Sequence, residues 1–373
     1  MKRANAVLGL VTALAMILMG AMPGFSASNA ELEERITKLE KETEEGSVPA
    51  SLGQISEWVS LSGTLEVEVG FESSDVNDTD NSDISLATAE LGIEASPQEW
   101  VTGFVLLSWE DDDDKFTADE AHITLGATDQ IPYYLSAGRL YVPFGSFETM
   151  MVSDPITQDF AETRDEAVQV GIEMNGIRAA AFAFNGEAEE ANENDDTIDV
   201  FGLSLGHAME TEAFSLDLGV DWINNILESG GLREVYDDSG WAAALEDQVP
   251  AVSLHAVAGF GPVSLMGEYV VMTDDVVAAG GVKLMDEASA YALEIGYTFD
   301  LAGYESTFAL GYQGSDDAEE LLPESKYLAA LGVGITDNLW VNFEYSSADN
   351  YSVADGGDGD DIDTFTIQMA FEF

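Results

Sequence analysis

The chain contains no cysteine. In an exported protein this excludes a disulfide scaffold, thiol chemistry and any Cys-ligated metal. Positive charge is almost as scarce: 12 Lys plus Arg stand against 72 Asp plus Glu, a formal charge of −60. A chain of that charge repels phosphates where nucleic-acid binders neutralise them, so no nucleic-acid partner is expected. Beyond residue 30 no run approaches the roughly 20 apolar residues that a membrane-spanning helix needs. Enzyme motifs are missing as well. There is no glycine-rich phosphate loop, no G-x-S-x-G elbow and no H-E-x-x-H. The three histidines, His122, His207 and His255, have no metal-ligand spacing. The acidic clusters 110–115 and 355–363 lack the spaced ligands and the twelfth-position Glu of a calcium loop. No enzymatic activity, cofactor or metal site is expected.

What is present begins with "MKRANAVLGLVTALAMILMGAMPGFSASNA". Lys2 and Arg3, an apolar stretch from Ala6 to Met22, and small residues around Ser28 and Ala30 follow the order of a secretory signal peptide. Residues 1–30 are read as that signal, cleaved after Ala30; an uncleaved anchor is the alternative. Its loss takes the formal charge to −62, because Lys2 and Arg3 go with it. In "ELEERITKLEKETEEG" (31–46), Leu32, Ile36 and Leu39 have coiled-coil spacing. Two heptads are too short to hold partners together unaided. The segment reads either as an oligomerising helix or as a solvated spacer, and 47–54 as a linker.

From residue 55 to the end the period changes to two. "WVSLSGTLEVEVGF" sets Leu61, Leu65, Val67, Val69 and Phe71 against Glu66 and Glu68. "FSLDLGVDW" sets Leu216, Leu218 and Val220 against Asp217 and Asp221, and "YALEIGYTF" sets Leu293, Ile295 and Tyr297 against Glu294. In "LWVNFEY", Val341, Phe343 and Tyr345 oppose Asn342 and Glu344. This alternation is the strand signal. Short connectors (96–99, 175–176, 261–262, 336–338) swap with long acidic ones (72–83, 186–197, 224–248, 273–287, 314–325, 346–363). Segments of about ten residues with tight turns at one end and long polar loops at the other describe a transmembrane antiparallel β-barrel of about 16 strands. Aromatic residues end the apolar faces, and the last strand, "TFTIQMAFEF", finishes on Phe373. The expected fold is all-β: an outer-membrane barrel over 55–373, preceded by a short helix. A secreted sandwich or β-helix is the soluble alternative, since alternation alone does not exclude it.

If lipid covers the apolar face, water meets the other. Wall candidates are Glu66, Glu68, Glu173, Asp217, Asp221, Glu294 and Glu344, joined by Glu90, Glu94, Glu120, Gln169, Glu268 and Asn342. Such a lumen concentrates cations and repels anions. Only seven Lys or Arg occur after residue 46: Lys115, Arg139, Arg164, Arg178, Arg233, Lys283 and Lys326. Three of these fall around the aperiodic segment "GRLYVPFGSFETMMVSDPITQDFAETR" (138–164). Unstructured loops that long are uncommon in compact domains unless functional. Pro143 cannot donate to a ladder, and Gly145 permits a sharp bend. Loop 142–165 is expected to fold inward and narrow the pore. Glu148, Asp154, Asp159 and Glu162 would then face Arg139, Arg164 and Arg178, with Tyr141 beside them, across a transverse field. A loop lying on the outer rim, with Arg164 as a surface ion, is the alternative.

The same stretch carries a resemblance. "GRLYVPFG" followed by "FET…SDP…ETR" resembles the LbtU-type siderophore porins, and G-R/K-x-x-x-P-F is more distantly similar to the phosphate-selective porins O and P. The matching positions are Arg139, Tyr141, Pro143, Phe144, Gly145, Glu162 and Arg164. The resemblance implies an outer-membrane barrel taking up an iron–siderophore. Phosphate selectivity is not expected, because the basic residues that line such pores are absent here. A 22-stranded plugged receptor is not expected either, since only about 25 residues separate the signal from the first strand.

The expected function is therefore an outer-membrane porin passing a small solute, a ferric siderophore by resemblance. A general cation-preferring diffusion porin is the first alternative. A blocked structural or adhesive barrel acting through its acidic loops is the second. Expected partners are outer-membrane lipid and lipopolysaccharide, the barrel-assembly machinery through Phe373, and further copies of the chain in a homotrimer. A saline habitat is another source of such acidity.

Overall fold

The computed structural model describes residues 58–373, apart from 75, 77–78, 111–114, 129, 189–196, 239–244 and 320. The expected signal peptide, helix 31–46 and linker lie outside the described residues, as does most of the acidic cluster 110–115.

Eighteen strands follow one another: β1 (Val59–Ser74), β2 (Thr79–Gln98), β3 (Val101–Glu110), β4 (Lys115–Thr128), β5 (Ile131–Tyr141), β6 (Arg164–Met174), β7 (Ile177–Asn185), β8 (Ile198–Glu210), β9 (Ser215–Ile223), β10 (Ala251–Phe260), β11 (Val263–Met272), β12 (Val276–Ala278), β13 (Val282–Met285), β14 (Ser289–Leu301), β15 (Tyr304–Asp316), β16 (Ser325–Thr336), β17 (Leu339–Asp349) and β18 (Asp361–Glu372). All but β12 and β13 form one closed antiparallel barrel of 16 strands, each paired with its neighbours in the chain. Strands β1 and β18 close it, from Thr64–Glu372 to Ser74–Ile362. The terminal Phe373 exchanges backbone hydrogen bonds of 3.0 Å with Gly63, so the last residue is part of the seam.

The alternation read from the sequence sets the two faces. Leu61, Leu293 and Met369 are more than half exposed on the outside. Their neighbours Glu294 and Gln368, pointing inward, are buried. Tight turns cluster at one end. At Asn175–Gly176 both residues have positive φ, 55° and 79°, the geometry that lets a two-residue turn follow the twist of its strands. The other end differs from expectation. Residues 72–74, 79–83, 314–316, 346–349 and 361–363, read as loop, continue the strands. A ladder standing in water needs no apolar face, so its hydrogen bonds persist where the hydrophobic signal stops.

The long connections at that end are not merely solvated loops. Helix α2 (Gly230–Asp238) and the β12–β13 hairpin belong to the segments read as 224–248 and 273–287. Leu227, Leu232, Leu245, Val276 and Met285 from these segments are buried in one cluster. The same cluster includes Phe144, Ile156 and Phe160, which belong to the 142–163 connection and its short helix α1 (Ile156–Ala161). Apolar residues inside the acidic stretches were the available signal for this packing.

Candidate functional site

The chain leaves β5 at Tyr141 and does not return until Arg164. Val142 donates to the carbonyl of Thr163 (3.0 Å), which pins the two ends of the loop together. Gly145 turns the chain at φ 90°, a conformation a side chain would oppose. From there the backbone amides face the inner wall. An irregular segment has no ladder to satisfy them, and leaving them bare in a buried setting is costly. Wall carboxylates supply the acceptors. Gly145 N–H donates to Asp221 Oδ2 (3.1 Å). Ser146 and Phe147 N–H donate to the two oxygens of Glu268 (2.8 and 3.1 Å). Thr149 Oγ1 and Met150 N–H donate to Glu294 (2.6 and 2.7 Å). Val152 N–H, Ser153 N–H and Ser153 Oγ all donate to Glu344.

These four acids sit on β9, β11, β14 and β17, so the loop runs inside the barrel along half its circumference. Helix α1 leads it back. Ile156 N–H reaches Gln313 Oε1 on β15 (3.3 Å), and Thr157 Oγ1 reaches Glu268 (3.0 Å). Beyond α1, Gly230 N–H donates to the Glu162 carbonyl (3.0 Å) and Ser229 Oγ to that of Phe160 (2.9 Å). The apolar side chains dock as well. Met150 and Met151 lie against Gly296 and Gly311, where a Cβ would collide with Met150 and crowd Met151.

Asp221, Glu268, Glu294 and Glu344 thus differ from the sequence expectation of an open acidic wall. All four are buried, 2–8% exposed, and each accepts at least one hydrogen bond from the loop. Charge-assisted bonds of this kind are about twice as strong as neutral ones. Glu66, Glu68, Glu90 and Glu120 lie on β1, β2 and β4, away from the anchored half, and stay partly exposed. Glu94 and Glu173 are exposed near the tight-turn end, and Gln169 accompanies them on the wall, bonded to Tyr134. Asn342 donates to Gln368, and Gln368 to Glu68.

The loop's own acids face that free wall. Burial first, then Glu66 on β1, raises the Asp154 carboxyl above its ordinary range, while Lys326 opposes the rise. Asp159 is raised by burial and by Asp154. Glu162 is pushed up to about 7 by burial, with Asp154, Asp159 and Glu120 adding to it and a bond from Gln158 opposing. Glu148 is exposed on the loop.

The arginines do not form the expected positive wall. Arg164 pairs with Asp119, which Tyr141 also contacts (3.2 Å), and lies 5.6 Å from the Tyr141 ring centre. Arg178 grips Asp217 through two bonds of 2.7 Å. Arg139 makes no ion pair among the described residues. The basic group that meets the loop tip is instead Lys326, 3.2 Å from Ser153 Oγ. Neither Lys326, Gln313 nor Asp119 was singled out by sequence; their spacing from 142–163 along the chain hides the contact. His255, whose spacing in the sequence gave no metal site, lies between Asp217 (3.9 Å) and Asp221 (3.7 Å). Among the described residues no group of His, Asp and Glu has the arrangement of a metal site.

No protein-family model matches the chain. It is 24% identical over 343 residues to a UPF0422 protein of Coxiella burnetii, an alignment covering 84% of this chain and 72% of that one. A UPF0422 protein of Legionella pneumophila (strain Paris) is 23% identical over 327 residues, covering 81% of this chain and 61% of the relative. The chain therefore spans less than two thirds of the Legionella relative's length. Among solved structures, the anion-selective porin from Comamonas acidovorans superposes with a TM-score of 0.59 at 14% identity, over 84% of this chain and 99% of that one. OprB of Pseudomonas putida gives 0.59 at 10% identity, over 87% and 96%. OmpT of Vibrio cholerae, in its trimer form, gives 0.54 at 13%, over 84% and 99%. These likenesses carry the fold. With its apolar outer belt, the chain is a bacterial outer-membrane β-barrel with the architecture of porin channels.

Proposed function

We propose that the protein is a passive diffusion channel preferring small cationic solutes. The observation that supports this best is the pairing of like charges across the remaining passage: Asp154 of the inner loop lies in the field of Glu66, and Glu162 in that of Glu120. Carboxylates on both sides lower the potential for cations and raise the barrier for anions. Two of the three arginines that would offset them, Arg164 and Arg178, are held by Asp119 and Asp217. The test is the reversal potential of the refolded protein in a planar bilayer under a salt gradient. A cation-selective potential supports the reading; an anion-selective one, or no conductance, overturns it. The latter outcome would favour a blocked barrel acting through its outer loops.

Uptake of an iron–siderophore is the narrower form of this proposal, supported by the resemblance at 138–164 alone. Growth on a ferric siderophore as sole iron source, with and without the gene, tests it. Assembly as a homotrimer, with barrel insertion directed by Phe373, completes the proposal; crosslinking of the inserted protein and a Phe373 deletion test the two parts.

A further inference from the structure

A polar cavity of about 470 Å³ lies at the end of β5 and β6 that leads into the inner loop. It occurs where the β6–β7 ladder stops at Val168–Ala183 while β6 continues to Arg164. Residues 186–188 follow β7 here: the Glu187 and Ala188 amides donate to the buried carboxylate of Glu228 at 3.0–3.1 Å, and the Gly186 amide to Asp199 (3.3 Å). Arg139, Arg164 and Arg233 all line the cavity. These are three of the seven basic residues after position 46, gathered in one place by β5, β6 and α2.

The three are not equivalent. Arg164 is tied to Asp119 and Arg233 to Glu187. Arg139 is half-buried and, among the described residues, its guanidinium has no carboxylate partner. A planar fork of N–H donors without a partner is suited to a carboxylate. Yet Glu162, Asp165, Glu166, Glu187 and Glu228 line the same cavity, within a chain of charge −60. A bare anion would meet net repulsion there. A bare cation would meet the arginines.

We infer that this cavity binds small zwitterions, molecules carrying a carboxylate for Arg139 and an ammonium for the facing Glu162 and Glu166. The volume is in the lower part of the range for small-molecule sites and suits an amino acid or a short peptide. Many porin-type barrels attract one sign of charge; a site with both signs side by side discriminates by the separation of charges within one solute. This inference does not need the conduction reading, because binding is measured without a membrane potential.

The test is calorimetric titration of the refolded barrel in detergent with three probes: glycylglycine, acetate and ethylammonium. Saturable binding of glycylglycine is expected, with neither half-molecule binding comparably. Arg139→Ala should weaken it about tenfold or more, the effect of losing one charge-assisted bidentate pair. Arg139→Lys keeps the charge without the fork and should fall between. Heat-modifiable gel migration checks that each variant is folded. If Arg139→Ala does not fold, Glu166→Gln carries the test and should weaken glycylglycine alone. Equal binding of acetate and glycylglycine, unchanged affinity in a folded Arg139→Ala or Glu166→Gln barrel, or no saturable binding of glycylglycine would each overturn the inference. A barrel that conducts cations but binds no glycylglycine would sink it while leaving the channel proposal intact.

Discussion

Ser153 and Glu344 are joined twice: the serine amide donates to one carboxylate oxygen (3.2 Å) and its hydroxyl to the other (2.7 Å). One residue belongs to an irregular loop and the other to β17, the last strand but one of the barrel. The contact shows how the inner loop is held. Each turn of irregular backbone is matched by an acidic residue from a different strand, and the acid is neutralised in effect by donors rather than by a cation.

Glu268 has the most donors of the four anchors, accepting from Ser146, Phe147, Thr157 and Ser253. Glu268→Ala should leave several buried donors unpaired, at about 1–3 kcal/mol each before relaxation. The expected result is a lower thermal midpoint for the refolded barrel, with larger and noisier single-channel conductance. Conductance identical to the parent would mean that the loop does not set the aperture.

Gly296 tests the same seating from the apolar side. A methyl group there collides with Met150. Gly296→Ala should displace the loop and alter conductance, and Met150→Ala should partly restore it in the double variant, because residues in contact do not behave additively. Full additivity of the two changes would show that the contact is not maintained in the membrane.

Arg178→Ala offers a different readout. Its partner Asp217 and Arg178 itself are both substantially exposed, so the pair contributes no more than about 1 kcal/mol to stability. The released Asp217 carboxylate should nevertheless shift the reversal potential further toward cation selectivity. The shift should shrink as salt is raised and the screening length shortens.

Glu162 makes the protein pH-dependent near neutrality. Its folded-state pKa of about 7 lies above the ordinary 4.5. The folded state therefore holds a proton more tightly than the unfolded chain, and stability from this group falls as pH rises from about 4.5 to about 7. In the folded channel, ionisation around pH 7 adds a negative charge beside Asp154, Asp159 and Glu120, so cation preference should rise between pH 6 and pH 8. Glu162→Gln should flatten that step. Glu228, also pushed to about 7, lies just before α2 and accepts from the Glu187 and Ala188 amides, so Glu228→Gln separates its contribution. A selectivity independent of pH in the parent protein would contradict the placement of Glu162 in the passage.

Much of the architecture was legible in the chain. Period-two segments such as 214–222 and 291–299 became strands, and the less regular 100–109 and 177–184 proved to be β3 and β7. The loop was marked by Pro143, Gly145 and the loss of period after Tyr141. Its partners were not. Asp221 lies 76 residues from Gly145, and Glu344 lies 192 from Val152. A Glu alternating with apolar residues looks the same in sequence whether it faces open water, as Glu94 does, or is buried beneath a loop, as Glu294 is. The transverse field failed for the same reason: nothing local told that Arg164 would find Asp119 and Arg178 would find Asp217.

The sequence by itself determined the class of fold, the strand number and the inward or outward side of each residue, because these follow from local periodicity and from the requirement that lipid meet apolar side chains. Only the closed barrel decided which carboxylates remain charges in the passage and which serve as acceptors for backbone amides. That choice depends on which distant strands the loop crosses, and strand positions around a barrel exist only once the sheet has closed on itself.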